Sequence, residues 1–175
     1  MASAVVLLGV AWQLACSDSS QVPEVLASAS LPMARAGASA RIDFTVTQAH
    51  LATRRRLMVA LDFPQTQDGK LEDSLLQQDV PVALDVVLVQ NGQLIAIPIQ
   101  DYRALLEPSR GRANSDVVNL HLYGHDGSTS SGVLAGFYPP QAGHYTATVR
   151  TIQDQPRFAG IRTTVKIVPF YNTGE

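Results

Sequence analysis

Among its 175 residues the chain has a single cysteine, Cys16, so it cannot close an internal disulfide and its stability must come from packing. Charged side chains are scarce, at 16%, and they sum to a net charge of −2. No basic surplus is available to displace counterions from a phosphate backbone, which excludes DNA and RNA as main partners. No apolar run reaches the roughly 20 residues that a membrane-spanning helix requires. Sustained helical periodicity is also missing, which argues against a helical bundle. Catalytic signatures are equally thin. "GHDGSTSSG", residues 124–132, sets hydroxyls beside His125 and Asp126 but has neither the G-x-S-x-G elbow nor the G-K-[ST] ending of a phosphate loop. It reads as a polar hairpin loop, and the sequence predicts a non-enzyme without a cofactor. With 46% hydrophobic residues the chain can still bury the core of one domain.

The apolar residues are unevenly placed. Residues 2–15, "ASAVVLLGVAWQLA", carry no charged side chain and read as the apolar region of a secretory signal, with Ala15 as its small final residue. They run into Cys16 as "QLAC", which is similar to the lipobox of bacterial lipoproteins, although Gln13 stands where that motif has Leu and no Lys or Arg precedes the run. The resemblance makes Cys16 the lipidated residue. Residues 16–40 are rich in Ser, Ala and Pro without sustained periodicity, and read as a flexible tether whose ends would lie roughly 25–30 Å apart. Trp12, the one tryptophan, falls in the leader.

From residue 41 to 175 the sequence predicts strands. In "RIDFTVT" Ile42, Phe44 and Val46 alternate with Arg41, Asp43 and Thr45, the period of a half-buried strand. "RRLMVALDF" repeats the pattern, with Leu57, Val59, Leu61 and Phe63 inward and Asp62 outward. "VALDVVLVQNGQLIAIPI" is two apolar runs joined by Asn91-Gly92, a pair suited to a type I′ hairpin turn, and Pro98 assigns the second run to a sheet edge. "VVNLHLY", "SGVLAGFY", "GHYTATVRTI" and "RTTVKIVPF" supply further strands. Short helical turns are expected at "EDSLLQQ" and "DYRALLE", with Asp73 or Asp101 as N-cap. The resulting fold class is all-β, an antiparallel immunoglobulin-like or fibronectin-like sandwich of about seven or eight strands. In "PPQAGHYTATV", Gly143 ends a turn and Tyr145 opens an inward-facing set with Ala147 and Val149, a pattern that resembles a tyrosine corner.

Three groups of residues are candidates for function. Arg54, Arg55 and Arg56 form the only basic run, and Arg110 and Arg112 share a Gly- and Ser-bearing loop. Both could be solvated charge, or could fork carboxylates of an acidic protein surface or phosphates of anionic lipid heads. Tyr102, Tyr123, Phe137, Tyr138, Phe170 and Tyr171 would in part suit a protein interface, with His125 beside Tyr123 as a further partner-binding candidate. His121, Tyr123 and His125 alternate along one strand, followed by Asp126. Two outward histidines there could converge on a metal with Asp126 or His144, or could be ordinary exposed residues.

The leader ending at Cys16, the Ala/Ser segment after it, the "LDF" strand, the "PVALDVVLV" strand and the closing "PQAGHYTATVRTIQDQPRFAG" resemble small periplasmic lipoproteins of proteobacteria. That resemblance implies an immunoglobulin-like domain, lipid-anchored at the inner or outer membrane and without known catalysis. Its function would be to bind a protein, as an immunity or inhibitor protein against a secreted toxin. The alternative is a structural or assembly accessory of the envelope.

Overall fold

Alternating apolar residues build two antiparallel sheets, described by a computed structural model for residues 25–106 and 116–170. The first sheet contains β1 (Ala27–Ser30), β3 (Leu57–Pro64), β6 (Gln100–Asp101), β8 (His121–Asp126), β9 (Thr129–Phe137) and β11 (Thr164–Pro169). Its order is β1-β11-β3-β9-β6, with β8 also on β9. The second contains β2 (Ser39–Val46), β4 (Pro81–Gln90), β5 (Gln93–Ala96), β7 (Val117–Asn119) and β10 (Gly143–Thr151). Its order is β2-β10-β4-β5, with β7 also on β4. Three short helices punctuate the strands: α1 (Gln48–Ala52), α2 (Lys70–Gln77) and α3 (Tyr102–Leu106). The chain is thus an all-β sandwich; the eleven strands among the described residues exceed the expected seven or eight because β1, β6 and β7 are short edge pieces.

The main core lies between the sheets. Ile42, Phe44 and Val46 of β2 and Leu57, Val59, Leu61 and Phe63 of β3 are all buried in it. Each such side chain contributes roughly 1.5–3 kcal/mol by leaving water. Tyr145 stacks on Phe44 with ring centroids 5.4 Å apart, and its hydroxyl donates to the Gln141 carbonyl, four residues upstream, at 2.6 Å. Gly143, at the start of β10, has an extended backbone (φ 159°) and a Cβ there would touch Leu88. At the other end Phe63 meets Phe158 edge to face at 5.9 Å. Asn91 and Gly92 have φ of 50° and 75°, and Gln90 pairs with Gln93 across them, so β4 and β5 form the two-residue hairpin.

Several expectations are corrected. Residues 25–40 are part of the domain, not a tether: β1 pairs with β11, and Leu31 and Met33 are buried in the main core. Alternating Ala and Ser gave β1 no hydrophobic signal, yet Ala27 and Ala29 pack against that core. The stretch "VVNLHLY" is two strands in different sheets; the chain crosses at Leu120, whose N–H donates to the Val80 carbonyl at 2.9 Å. Helix α2 begins at Lys70 with Gly69 as its N-cap, so Asp73 lies within the first turn. Asp101 does accept from the Ala104 N–H, at 2.8 Å. Cys16, Trp12, Arg110, Arg112 and Tyr171 lie outside the described residues.

Candidate functional site

β3 is buried along most of its length on both faces, because its outward residues are covered as well. Met58, Ala60, Leu105, Val133 and Val168 form a second cluster on the outer face of the first sheet, with Tyr102, Tyr123 and Phe170 packed against it. Helix α3 supplies Leu105. It can approach because Gly136 lies beneath it: a Cβ at that position would fall 2.6 Å from a Leu105 methyl. The alternation that identified the inward residues of β3 gave no sign of this second layer, although the unbroken apolar run "LMVAL" is what a strand covered on both faces requires.

Around this cluster the structure gathers aromatic rings and an arginine from distant parts of the sequence. Tyr123 lies 6.0 Å from Phe170 between ring centroids, and Tyr102 stacks on His121 at 4.9 Å. The Arg56 guanidinium lies 5.0 Å from the centroid of the Tyr138 ring, and its Nη1 donates to the Leu105 carbonyl at 3.0 Å. Arg56 is thereby fixed by α3 and Tyr138, whereas Arg54 and Arg55 are exposed in the turn between α1 and β3. Tyr138 is 53% exposed, leaving its ring accessible beside an ordered guanidinium. Phe137 is not part of this face; it is fully buried in the main core.

A groove of about 270 Å³ runs alongside, with Val25, Met58, Val168 and Pro169 as apolar walls and Tyr123 and His125 at its border. Its polar end is internally matched. The Lys166 ammonium lies 2.8 Å from Asp62, and Ser131 donates a short hydrogen bond to the same carboxylate.

The histidines expected on one face are separated. The ladder between β8 and β9 steps from Leu122–Gly132 to Gly124–Ser131, a bulge at Tyr123 that reverses the alternation beyond it. His121 is opposite Val133, on the outer face, whereas His125 is opposite Ser130, which shares the inner face with Phe63. The His125 Nδ1 lies 3.1 Å from Ser130 Oγ, which in turn donates to Glu72 at 2.8 Å. His144 is in the other sheet, 3.1 Å from the Thr45 hydroxyl. Among the described residues no three His, Cys, Asp or Glu side chains are grouped to hold a metal ion, so His121, His125 and Asp126 do not form the site that their spacing suggested.

Burial lowers the His121 pKa, so its ring on Tyr102 is favoured as a neutral stacking surface. Burial raises the Glu72 pKa, but hydrogen bonds from Thr66 and Ser130 outweigh it and hold the carboxylate below its ordinary value. The His125–Ser130–Glu72 chain is consequently an anchor of α2 to β9. Ser130 has no exposed surface and its proton already faces a carboxylate.

No family model matches the chain, and no curated protein matches it. A crystal structure of a protein from Sulfurospirillum deleyianum is similar in fold, with a TM-score of 0.56 at 10% identity, covering 83% of this chain and 97% of that one. At that identity the likeness is one of architecture, a sandwich of this size shared by two divergent sequences.

Proposed function

We propose that the chain is a non-enzymatic protein-binding module, tethered at the cell envelope through Cys16, and that its most concrete role is that of an immunity or inhibitor protein against a secreted toxin. The observation that carries the binding reading is the convergence of Arg56, Tyr138, Tyr123, Phe170 and Tyr102 on one outer sheet face beside a groove. Tyr and Arg dominate the energetics of protein interfaces because they combine large contact area with directional polar groups. Here they are held by neighbours, so little side-chain freedom is lost on binding. The leader and its resemblance to a lipobox support the envelope location.

The test is binding to the product of the adjacent gene, measured by calorimetry with the wild type and with Tyr138→Ala. Tyr138 is half-exposed, so its removal leaves the core intact. A contribution of about 2 kcal/mol, typical of an interface hot spot, would weaken affinity about 30-fold. Equal affinity of the variant would remove this face from the reading. Absence of any complex, with envelope defects on deletion, would favour the accessory role.

A further inference from the structure

The hairpin β4–β5 leaves an edge that the binding face does not use. Gln90 and Gln93 close the two-residue turn, and the Ile97 N–H donates to the Val86 carbonyl at 2.8 Å. Those two points fix the parity of the ladder: Ile95 turns its backbone toward Leu88, and Leu94 and Ala96 turn their N–H and C=O groups outward. Among the described residues no strand lies beyond β5. The strand carries no charge, and its side chains are exposed, Leu94 by 70% and Ile95 by 41%, with Val89 beside Leu94 at 39%. The opposite edge of the same sheet, β2, carries the Arg41–Asp43 pair on its surface, the kind of charge that discourages pairing.

We infer that β5 pairs antiparallel with β5 of a second copy of this chain, across a two-fold axis at Ile95. The outward groups of Leu94 and Ala96 are self-complementary. Leu94 opposite Ala96 of the second copy, and Ala96 opposite its Leu94, satisfies all the outward N–H and C=O groups of both residues in each copy. This is the isologous condition of a two-fold dimer. Registers centred on Leu94 or Ala96 bring Gly92 of the turn or Pro98, which has no N–H, into the ladder and lose bonds. With no charged residue from Gln93 to Ala96, self-pairing sets no like charges opposite one another. Leu94 and Val89 of the two copies meet on one side of the seam, and the two Ile95 side chains on the other. Two four-residue edges bury well under the roughly 1,200 Å² at which stable interfaces begin, so the dimer is weak and forms at about 100 µM and above.

The register makes the inference testable in the full chain carrying Cys16→Ser. Ile95→Cys places two sulfurs across the axis in a non-hydrogen-bonded pair, about 4.5 Å apart between Cα atoms, within disulfide range. Gln93→Cys places them about 13 Å apart along the strands. Mild oxidation should convert the Ile95→Cys protein to a reductant-sensitive dimer and leave the Gln93→Cys protein monomeric. Sedimentation of the wild type should show a concentration-dependent monomer–dimer equilibrium, weakened at least tenfold by Leu94→Lys with unchanged melting. Equal cross-linking of both cysteine variants, or a wild type that stays monomeric at 500 µM, would overturn the pairing.

Discussion

At the start of α1 the Thr47 N–H donates to His50 Nδ1 at 2.9 Å, and the Thr47 hydroxyl faces the His50 N–H, so the two residues cap the helix reciprocally. Accepting at Nδ1 puts the imidazole proton on Nε2, which is buried without a partner among the described residues. Burial lowers the His50 pKa below 6.5. The unfolded chain therefore takes up a proton first as pH falls through 6.5, and the folded state loses stability below that value until its own lower pKa is reached. His121, also lowered by burial, acts in the same direction. His50→Gln keeps an acceptor for the Thr47 N–H and removes the titration; urea midpoints measured from pH 7.5 to 5 should fall less steeply than in the wild type. An unchanged slope would assign the pH dependence elsewhere. Tyr145→Phe isolates another single interaction: losing the hydroxyl bond to Gln141 should cost about 1–2 kcal/mol in urea unfolding, with the Phe44 stack retained.

Helix α3 and the strand beneath it depend on one missing side chain. Gly136 leaves the space that a Leu105 methyl fills, so Gly136→Ala should force the Leu105 side chain to repack and cost about 1–3 kcal/mol, with the loss read as a lower thermal midpoint. Because Arg56 bonds the Leu105 carbonyl, the same substitution should also loosen the guanidinium over Tyr138 and weaken partner binding. None of this was readable from Gly136 itself. What alternation does encode is the inward face of each long strand, as at Ile42, Phe44 and Val46 or at Leu57, Val59, Leu61 and Phe63, because one buried face demands period two. The Asn91-Gly92 turn was equally legible, since few dipeptides tolerate two positive φ values. Alternation failed where a local irregularity changed the phase. The bulge at Tyr123 sends His121 and His125 to opposite faces, and period two alone places them together. It failed again at β1, where Ala and Ser differ too little in hydrophobicity to mark a face. The aromatic site was half-legible: Tyr102, Tyr123, Tyr138 and Phe170 could be named as candidates, but only the sheet order brings β3, β9 and β11 side by side.

Taken as a whole molecule, the domain places its aromatic face close to the point where the N-terminal segment joins it. Val25 borders the groove, and the Leu26 N–H donates to the Ile167 carbonyl at 2.8 Å, where β1 begins to line β11. Incorporation of residues 25–40 into the sandwich shortens what can separate the domain from Cys16. The backbone from Cys16 to Val25 spans at most about 30 Å when fully extended. If lipid is attached at Cys16, as proposed, the groove side of the first sheet is held within that distance of the bilayer, and a partner binding there must meet it at the membrane surface. Each buried CH₂ contributes about 0.8 kcal/mol, so one acyl chain gives reversible attachment and the several chains of a bacterial lipoprotein give a durable one. Cells fed a fatty-acid analogue should label the wild-type chain and leave Cys16→Ser unlabelled, and the variant should move from the membrane to the soluble fraction. If Cys16 serves the anchor alone, purified Cys16→Ser should melt like the wild type and bind the same partner with the same affinity in solution. Label surviving in Cys16→Ser would refute the anchor, whereas loss of label together with a lower melting temperature would show that the residue also contributes to the fold.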